Sequence, residues 1–256
     1  MSNSDIRKFQ PADVLAALGL LTRLPVKIDH EAAGARAAKA VWAYPLAGLA
    51  VGVIAACVGS VWQWFGVSDG LVAAAVLAVM VIITGAMHED GLADSADGLW
   101  GGWDPDRRLE IMKDSRIGSY GVIALCLSLL ARWIAIEALI SAGWMWCALP
   151  IVATLSRVPM VALMHLMEPA RAGGLSRSVG RPDKAPVGVA LLIGLAVAAA
   201  LGGWTVFPLF IFVTLATVKV ALIAQAKIGG QTGDILGAAQ QIAEITALGV
   251  LASIAG

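Results

Sequence analysis

The side chains best suited to chemistry lie in one run, His88-Glu89-Asp90-Gly91-Leu92-Ala93-Asp94-Ser95-Ala96-Asp97-Gly98, and in its continuation from Trp103 to Gly118. On a helix turning about 100° per residue, Asp90, Asp94 and Asp97 fall within an arc of roughly 60°. Like charges so placed repel one another, and a divalent cation is the simplest compensation. Oxygen donors without a thiolate select a hard ion, Mg²⁺ or Mn²⁺, over zinc. Gly91 leaves room for a phosphate or a neighbouring backbone, while Gly98, Gly101 and Gly102 mark the helix end. Asp104-Pro105 reads as an N-cap followed by proline at the first helical position. The helix it opens carries Asp106, Glu110 and Asp114 at every fourth position, with Arg107, Arg108 and Lys113 between them and Arg116 just beyond. Two short acidic helices facing across a glycine turn would hold one or two metals, with the basic residues offered to phosphate. The competing reading is a merely solvated acidic loop. His88 reads equally as a snorkelling interfacial histidine or as a proton acceptor.

Further polar groups are scattered along the chain. Arg23, in Thr22-Arg23-Leu24-Pro25, is an interfacial anchor or a phosphate ligand. Arg132 and Arg157 sit inside apolar sequence, where arginine is costly enough to imply a partner or a role. Arg157 is placed to reach a substrate phosphate, and Arg132 to pair with Glu137 or Glu244. The loop from Glu168 to Lys184 is either a lid over an anionic small molecule or plain solvated chain. Gly229-Gly230-Gln231-Thr232-Gly233-Asp234 opens a helix, so Thr232 and Gly233 lie where backbone amides face an anion. No Gly-Lys-Ser/Thr follows, so this is not a P-loop. Asp234 is an N-cap, a metal ligand or a group that orients a hydroxyl.

The elements that must position these groups are apolar. Hydrophobic residues make up 59% of the chain, charged ones 14%, and mean hydropathy is +0.82, a composition of polytopic membrane proteins. Windows near 41–66, 70–87, 118–140, 144–165, 185–202, 204–224 and 235–255 meet the span requirement of roughly 20 apolar residues. The expected architecture is all-α, a membrane bundle of about seven spans with short Asp-rich cytoplasmic helices. The patch Val14 to Leu21 reads as interfacial, and no cleavable signal peptide is evident. Gly48 and Gly52 have the spacing that lets helices approach closely. Cys57, Cys126 and Cys147 have no paired spacing and read as packing residues.

Arg7, Lys8, Arg23, Lys27, Arg36 and Lys39 precede the first window, and basic residues recur in every second connection. The positive-inside rule therefore places the N-terminus, the long loops and the candidate chemistry on the cytoplasmic side of a multi-pass membrane protein. One integral membrane domain, 1–256, accounts for the chain. It contains a lead-in at 1–40, the Asp-rich segment 88–117, a loop at 166–184 and a Gly-rich loop at 227–234. Four basic loop residues without stacking aromatics make a poor nucleic-acid footprint. There is no persuasive Ser-His-Asp set or reactive cysteine. The residues alone describe a metal-dependent membrane enzyme that handles phosphate esters, chemistry that needs charge neutralisation and an oriented hydroxyl.

Thr22 to Pro25, His88 to Gly98, Arg108-Leu109-Glu110-Ile111-Met112-Lys113-Asp114-Ser115-Arg116-Ile117-Gly118 and Gly229 to Ala238 together resemble the cobalamin synthase family, the adenosylcobinamide-GDP ribazoletransferases. Glu89 departs from the apolar residue of many members. The resemblance implies that a hydroxyl of α-ribazole, or of its 5′-phosphate, attacks the phosphate bearing the cobinamide, and that GMP leaves. It implies Mg²⁺ bound by Asp90, Asp94 and Asp97. Asp114 and Asp234 would be second-site ligands or the base, His88 a catalytic neighbour, and Arg23, Lys113, Arg116, Arg157, Thr232 and Gly233 phosphate contacts. The partners implied are those two substrates and the bilayer, with a homo-oligomer or a complex with other corrinoid enzymes left open. Two alternatives remain at this stage. A CDP-alcohol phosphotransferase is echoed by Asp90-Gly91, Gly102, Asp106 and Glu110. A cation transporter would spread its acids through the spans.

Overall fold

The computed structural model describes residues 9–256 and contains thirteen α-helices and no strand among them. Arg7 and Lys8 lie outside the described residues. The lead-in forms α1 (Pro11–Leu21) and α2 (His30–Ala40), the latter capped by Asp29, whose carboxylate accepts from Glu31 and Ala32 N–H. The bundle follows as α3 (Tyr44–Trp64), α4 (Asp69–Thr84), α5 (Met87–Gly101), α6 (Pro105–Ile111), α7 (Ser119–Ser141), α8 (Met145–Leu155), α9 (Val158–Leu166), α10 (Leu175–Val179), α11 (Lys184–Gly202), α12 (Val206–Ile228) and α13 (Gly233–Ala255).

Every expected window is helical, and five stretches are long and apolar enough to cross a membrane, or six if the bent pair α4–α5 counts as one span. The count of seven is not confirmed, and two features bear on it. α4 has only 16 residues before the chain turns by 86° into α5. α11 and α12, joined through a tight turn at Gly203 with φ of 58°, form one apolar stretch of 45 residues. Leu127, Leu130 and Ile134 on α7, and Phe207, Ile211, Leu215 and Leu222 on α12, are exposed, the surface that lipid requires of a helical bundle.

Two apolar clusters fill the interior. One joins α3, α4, α7, α8 and α13 through Val51, Val76, Ile136, Leu149 and Leu251. The second lies towards the polar end, where Tyr44, Leu99, Met160, Met164 and Leu236 meet. Gly48 and Gly52 serve the close approach expected of them. A methyl group on Gly48 would collide with the Ala153 carbonyl and one on Gly52 with that of Leu149, so α3 and α8 are in backbone contact. The window 144–165 is split at Ser156 and Arg157 because Pro159, near the start of α9, offers no N–H to the preceding turn.

The turn between α4 and α5 matters most for the site. Gly85 and Ala86 are both left-handed, with φ of 65° and 57°. Ala86 is the one described non-glycine residue in that region, where a Cβ is disfavoured. Its N–H donates to the Val81 carbonyl at 2.9 Å, and its own carbonyl accepts from Asp90 N–H at 2.9 Å, which ties the turn to both helices.

Candidate active site

Gly91 brings α5 onto the start of α13: a methyl group there would sit 2.9 Å from the Asp234 carbonyl oxygen. Its role is backbone approach. Thr232 caps α13 by accepting from Ile235 N–H at 3.2 Å, which leaves Asp234 in the first turn rather than at the cap. The carboxylate of Asp234 accepts from the Thr232 hydroxyl at 3.2 Å and from Arg171 Nη2 at 3.2 Å.

The loops expected at 166–184 and 227–234 form one structure. Ala170 N–H donates to the Gln231 carbonyl at 2.8 Å, Gln231 N–H to the Glu168 carbonyl at 2.9 Å, and the Ser176 hydroxyl to Gln231 Oε1 at 2.5 Å. This stitching carries Arg171 over the α13 N-terminus. His88, Asp90, Gly91, Arg171, Gly233 and Asp234 then line a cavity of about 140 Å³. Asp90 also borders a groove of about 520 Å³ with Thr22 and Arg23, held near by the bond from Arg23 N–H to the Ile83 carbonyl. Asp94 is half-buried one turn on and lies within electrostatic reach of Asp90, Asp234 and Arg171. Arg171 is the residue that sequence reasoning missed. One of its nitrogens, Nη1, is buried without a partner among the described residues.

Several expected members have other tasks. Asp97 is buried, and its two oxygens accept from Gly118 N–H at 2.7 Å and Gly121 N–H at 2.9 Å. It therefore caps α7 instead of pointing into the cavity with Asp90, a job that needs a short carboxylate at a helix start. Arg157 is buried too, bonded to the Ala153 carbonyl, the Ser156 hydroxyl and Glu244 Oε2. These bonds place its guanidinium in the buried network, and it does not line the cavity. Arg132 binds Glu244 Oε1 at 3.1 Å as expected, and also Glu89 Oε1 at 2.9 Å, so Glu89 is an ion-pair partner in this network. His88 is buried beside this network, and its Nε2 has no partner among the described residues.

The second acidic ladder does not face the first. Asp106 and Glu110 are exposed, Glu110 paired to Arg107. Asp114 pairs with Arg116 at 2.7 Å on a surface loop, and Lys113 beside them is exposed. The bonds from Arg116 hold the Asp114 carboxyl below the usual carboxylate range. None of these three lines the cavity. Arg108 is occupied by the carbonyls of Gly102, Trp103 and Lys227, which fasten α6 to α12.

Among the described residues no three His, Cys, Asp or Glu side chains are grouped so as to hold a metal by themselves. Mg²⁺ does not need such a cage, because it keeps several waters and takes one or two carboxylates plus substrate phosphates. Asp90 lines both the cavity and the groove. Asp94, one helical turn on and outside both linings, is near enough to share charge with it, so the pair supplies the one or two carboxylates that such an ion takes.

Comparisons with known proteins show the family of the chain. Residues 13–252 match the family model described as cobalamin-5-phosphate synthase. An adenosylcobinamide-GDP ribazoletransferase of Bradyrhizobium diazoefficiens is 44% identical over 94% of both chains. Relatives of the same name from Mesorhizobium japonicum, 41% identical over 95% of this chain and 93% of theirs, and from a Sinorhizobium species, 42% identical over 94% and 95%, match as well. No solved structure gives a significant match.

Proposed function

This chain belongs to the cobalamin-5-phosphate synthase family, and on that premise we propose that it joins adenosylcobinamide-GDP to α-ribazole or α-ribazole 5′-phosphate with release of GMP. The observation that carries the reading is the convergence of Asp90, Asp234 and Arg171 on one cavity at the polar end of an apolar bundle.

In the step proposed, a ribose hydroxyl oxygen forms a bond to the phosphorus bearing the cobinamide. The bond from that phosphorus to the bridging oxygen breaks, and GMP leaves. Asp234 takes the hydroxyl proton, a carboxylate held at a fixed angle by the Thr232 hydroxyl and Arg171. Arg171 and Arg23 neutralise the diphosphate from two sides of Asp90. The free amides at the start of α13, next to Gly233, add the partial positive charge of a helix N-terminus. Mg²⁺, held by Asp90 and Asp94, would supply charge neutralisation on the phosphate oxygens. The basic residues of the loops support a cytoplasmic site, and the bacterial source of the relatives supports an inner membrane.

The experiment is an assay of purified membranes with adenosylcobinamide-GDP and α-ribazole, with Mg²⁺ or with EDTA. GMP release that EDTA abolishes and Mg²⁺ restores is expected. CMP release from CDP-alcohol lipids, with none of GMP, would overturn the reading.

A further inference from the structure

We propose that an uncharged cleft beside the charged cavity receives the flat heteroaromatic base of the acceptor; the proposal rests on the transfer reading above. The cleft, of about 290 Å³, lies between α1, α2 and α10, with Ala16 and Gly19 on one wall and Ala33 and Ala37 on the other. No Asp, Glu, Lys or Arg lines it. Its polar side chains are His30, Ser178 and Tyr44, and the remaining walls are small or aliphatic, which leaves a slot of a shape that a planar ring fills.

The cleft is joined to the site. Leu20, Tyr44, Leu175 and Val179 line both it and the cavity that holds Asp90, Asp234 and Arg171. A base riboside has the same division, with a polar sugar at one end and a neutral ring at the other. With the ribose hydroxyl at Asp234, the ring is directed past Tyr44 into the slot. A corrinoid macrocycle is far too large for this volume, and with the acceptor hydroxyl at Asp234 the slot adjoins the attacking group, so it is assigned to the acceptor ring. Label displaced by GMP and not by α-ribazole would give it to the donor's guanine instead.

The walls are built to keep their spacing. Arg36 Nε and Nη2 each donate to Asp13 at 3.0 Å, and Trp42 Nε1 donates to the same buried carboxylate at 3.0 Å. This pins α2 against α1 behind the slot. Ala33 and Ala37 are half-buried, so a larger side chain at either position enters the cleft without displacing the bundle core.

The test uses the full chain in detergent. Wild-type protein is photolabelled with an azido derivative of α-ribazole carrying the reactive group on its base, with and without excess α-ribazole, and the labelled peptides are mapped. Kinetic constants are measured alongside for wild type and for Ala33→Phe. Label on α1, α2 or α10 that α-ribazole displaces is expected. Ala33→Phe is expected to raise KM for α-ribazole by about tenfold or more and to leave KM for adenosylcobinamide-GDP within about twofold. Displaceable label elsewhere, with wild-type GMP release intact, would overturn the inference alone. So would an Ala33→Phe protein with unchanged KM for α-ribazole, the result expected if the slot holds a lipid chain. A wild-type protein that releases no GMP would remove the transfer reading and this inference together.

Discussion

The guanidinium of Arg171 meets the carboxylate of Asp234 at 3.2 Å, through Nη2 and Oδ2, across two loops stitched together by backbone bonds. Its Nη1 stays buried and without a partner among the described residues. A hydrogen bond to a charged group contributes about 1.5–3 kcal/mol, so Arg171→Ala is expected to raise KM for adenosylcobinamide-GDP by about tenfold to a hundredfold. Steady-state kinetics with each substrate varied in turn checks this. A rise confined to α-ribazole would contradict the assignment.

Glu244 accepts from both buried arginines, Arg132 and Arg157, and from Gln240 Nε2 at 2.6 Å. Removing one partner from a buried charge network costs about 3–5 kcal/mol because the remaining charge is left uncompensated. Glu244→Ala is expected to lower the thermal midpoint in detergent more than any exposed charge deletion. Arg116→Ala, on the surface loop, is the control and should leave that midpoint unchanged.

The backbone approach of α5 to α13 predicts a contrast between two glycines. Gly91→Ala places a methyl group 2.9 Å from the Asp234 carbonyl and must push the two acidic elements apart, so kcat should fall. Gly188→Ala meets nothing within 4 Å on α11 and should be neutral or stabilising by up to about 1 kcal/mol. Equal kcat in the two proteins would remove the argument that the contact sets the site.

What the sequence disclosed, and what it concealed, follows from the range of the forces involved. Apolar windows and the caps at Asp104 and Gly102 are local signals, and they marked helices that the structure contains. Asp90, Asp94, Asp234 and Arg23 were legible because acids and arginines stand out against apolar sequence. Asp97 was misassigned because its shared face with Asp90 is a local property, whereas its bonds to Gly118 and Gly121 depend on where α7 begins. Arg171 was not singled out because nothing local distinguishes it from Arg177 or Arg181. Only the pairing of Pro169 with Gln231 carries it to Asp234. The second acidic ladder had the spacing of a site, yet α6 turns its acids to solvent, with no buried residue of its own.

Acid should loosen the lead-in before the bundle. Burial pushes the Asp13 carboxyl up, but the bonds from Arg36, Trp42 and the Gln10 N–H outweigh it and hold the folded pKa below the usual 3.8. A lowered folded value means the contribution is complete above 3.8 and disappears as pH falls through the folded pKa. Hydrogen exchange of α1 and α2 is therefore expected to rise below pH 3.8 in wild type. Asp13→Asn should exchange faster at neutral pH and lose that dependence.

The two acidic segments make opposite claims to the chemistry, and one comparison separates them. GMP release is measured for Asp234→Asn and Asp114→Asn proteins, each shown to fold in membranes with the wild-type thermal midpoint. Loss of a positioned base costs about 10²- to 10⁴-fold in kcat, and that loss is expected for Asp234→Asn while Asp114→Asn stays within several-fold of wild type. The reverse order, with Asp234→Asn turning over normally and Asp114→Asn inactive, would contradict the placement of the site between α5, α13 and Arg171.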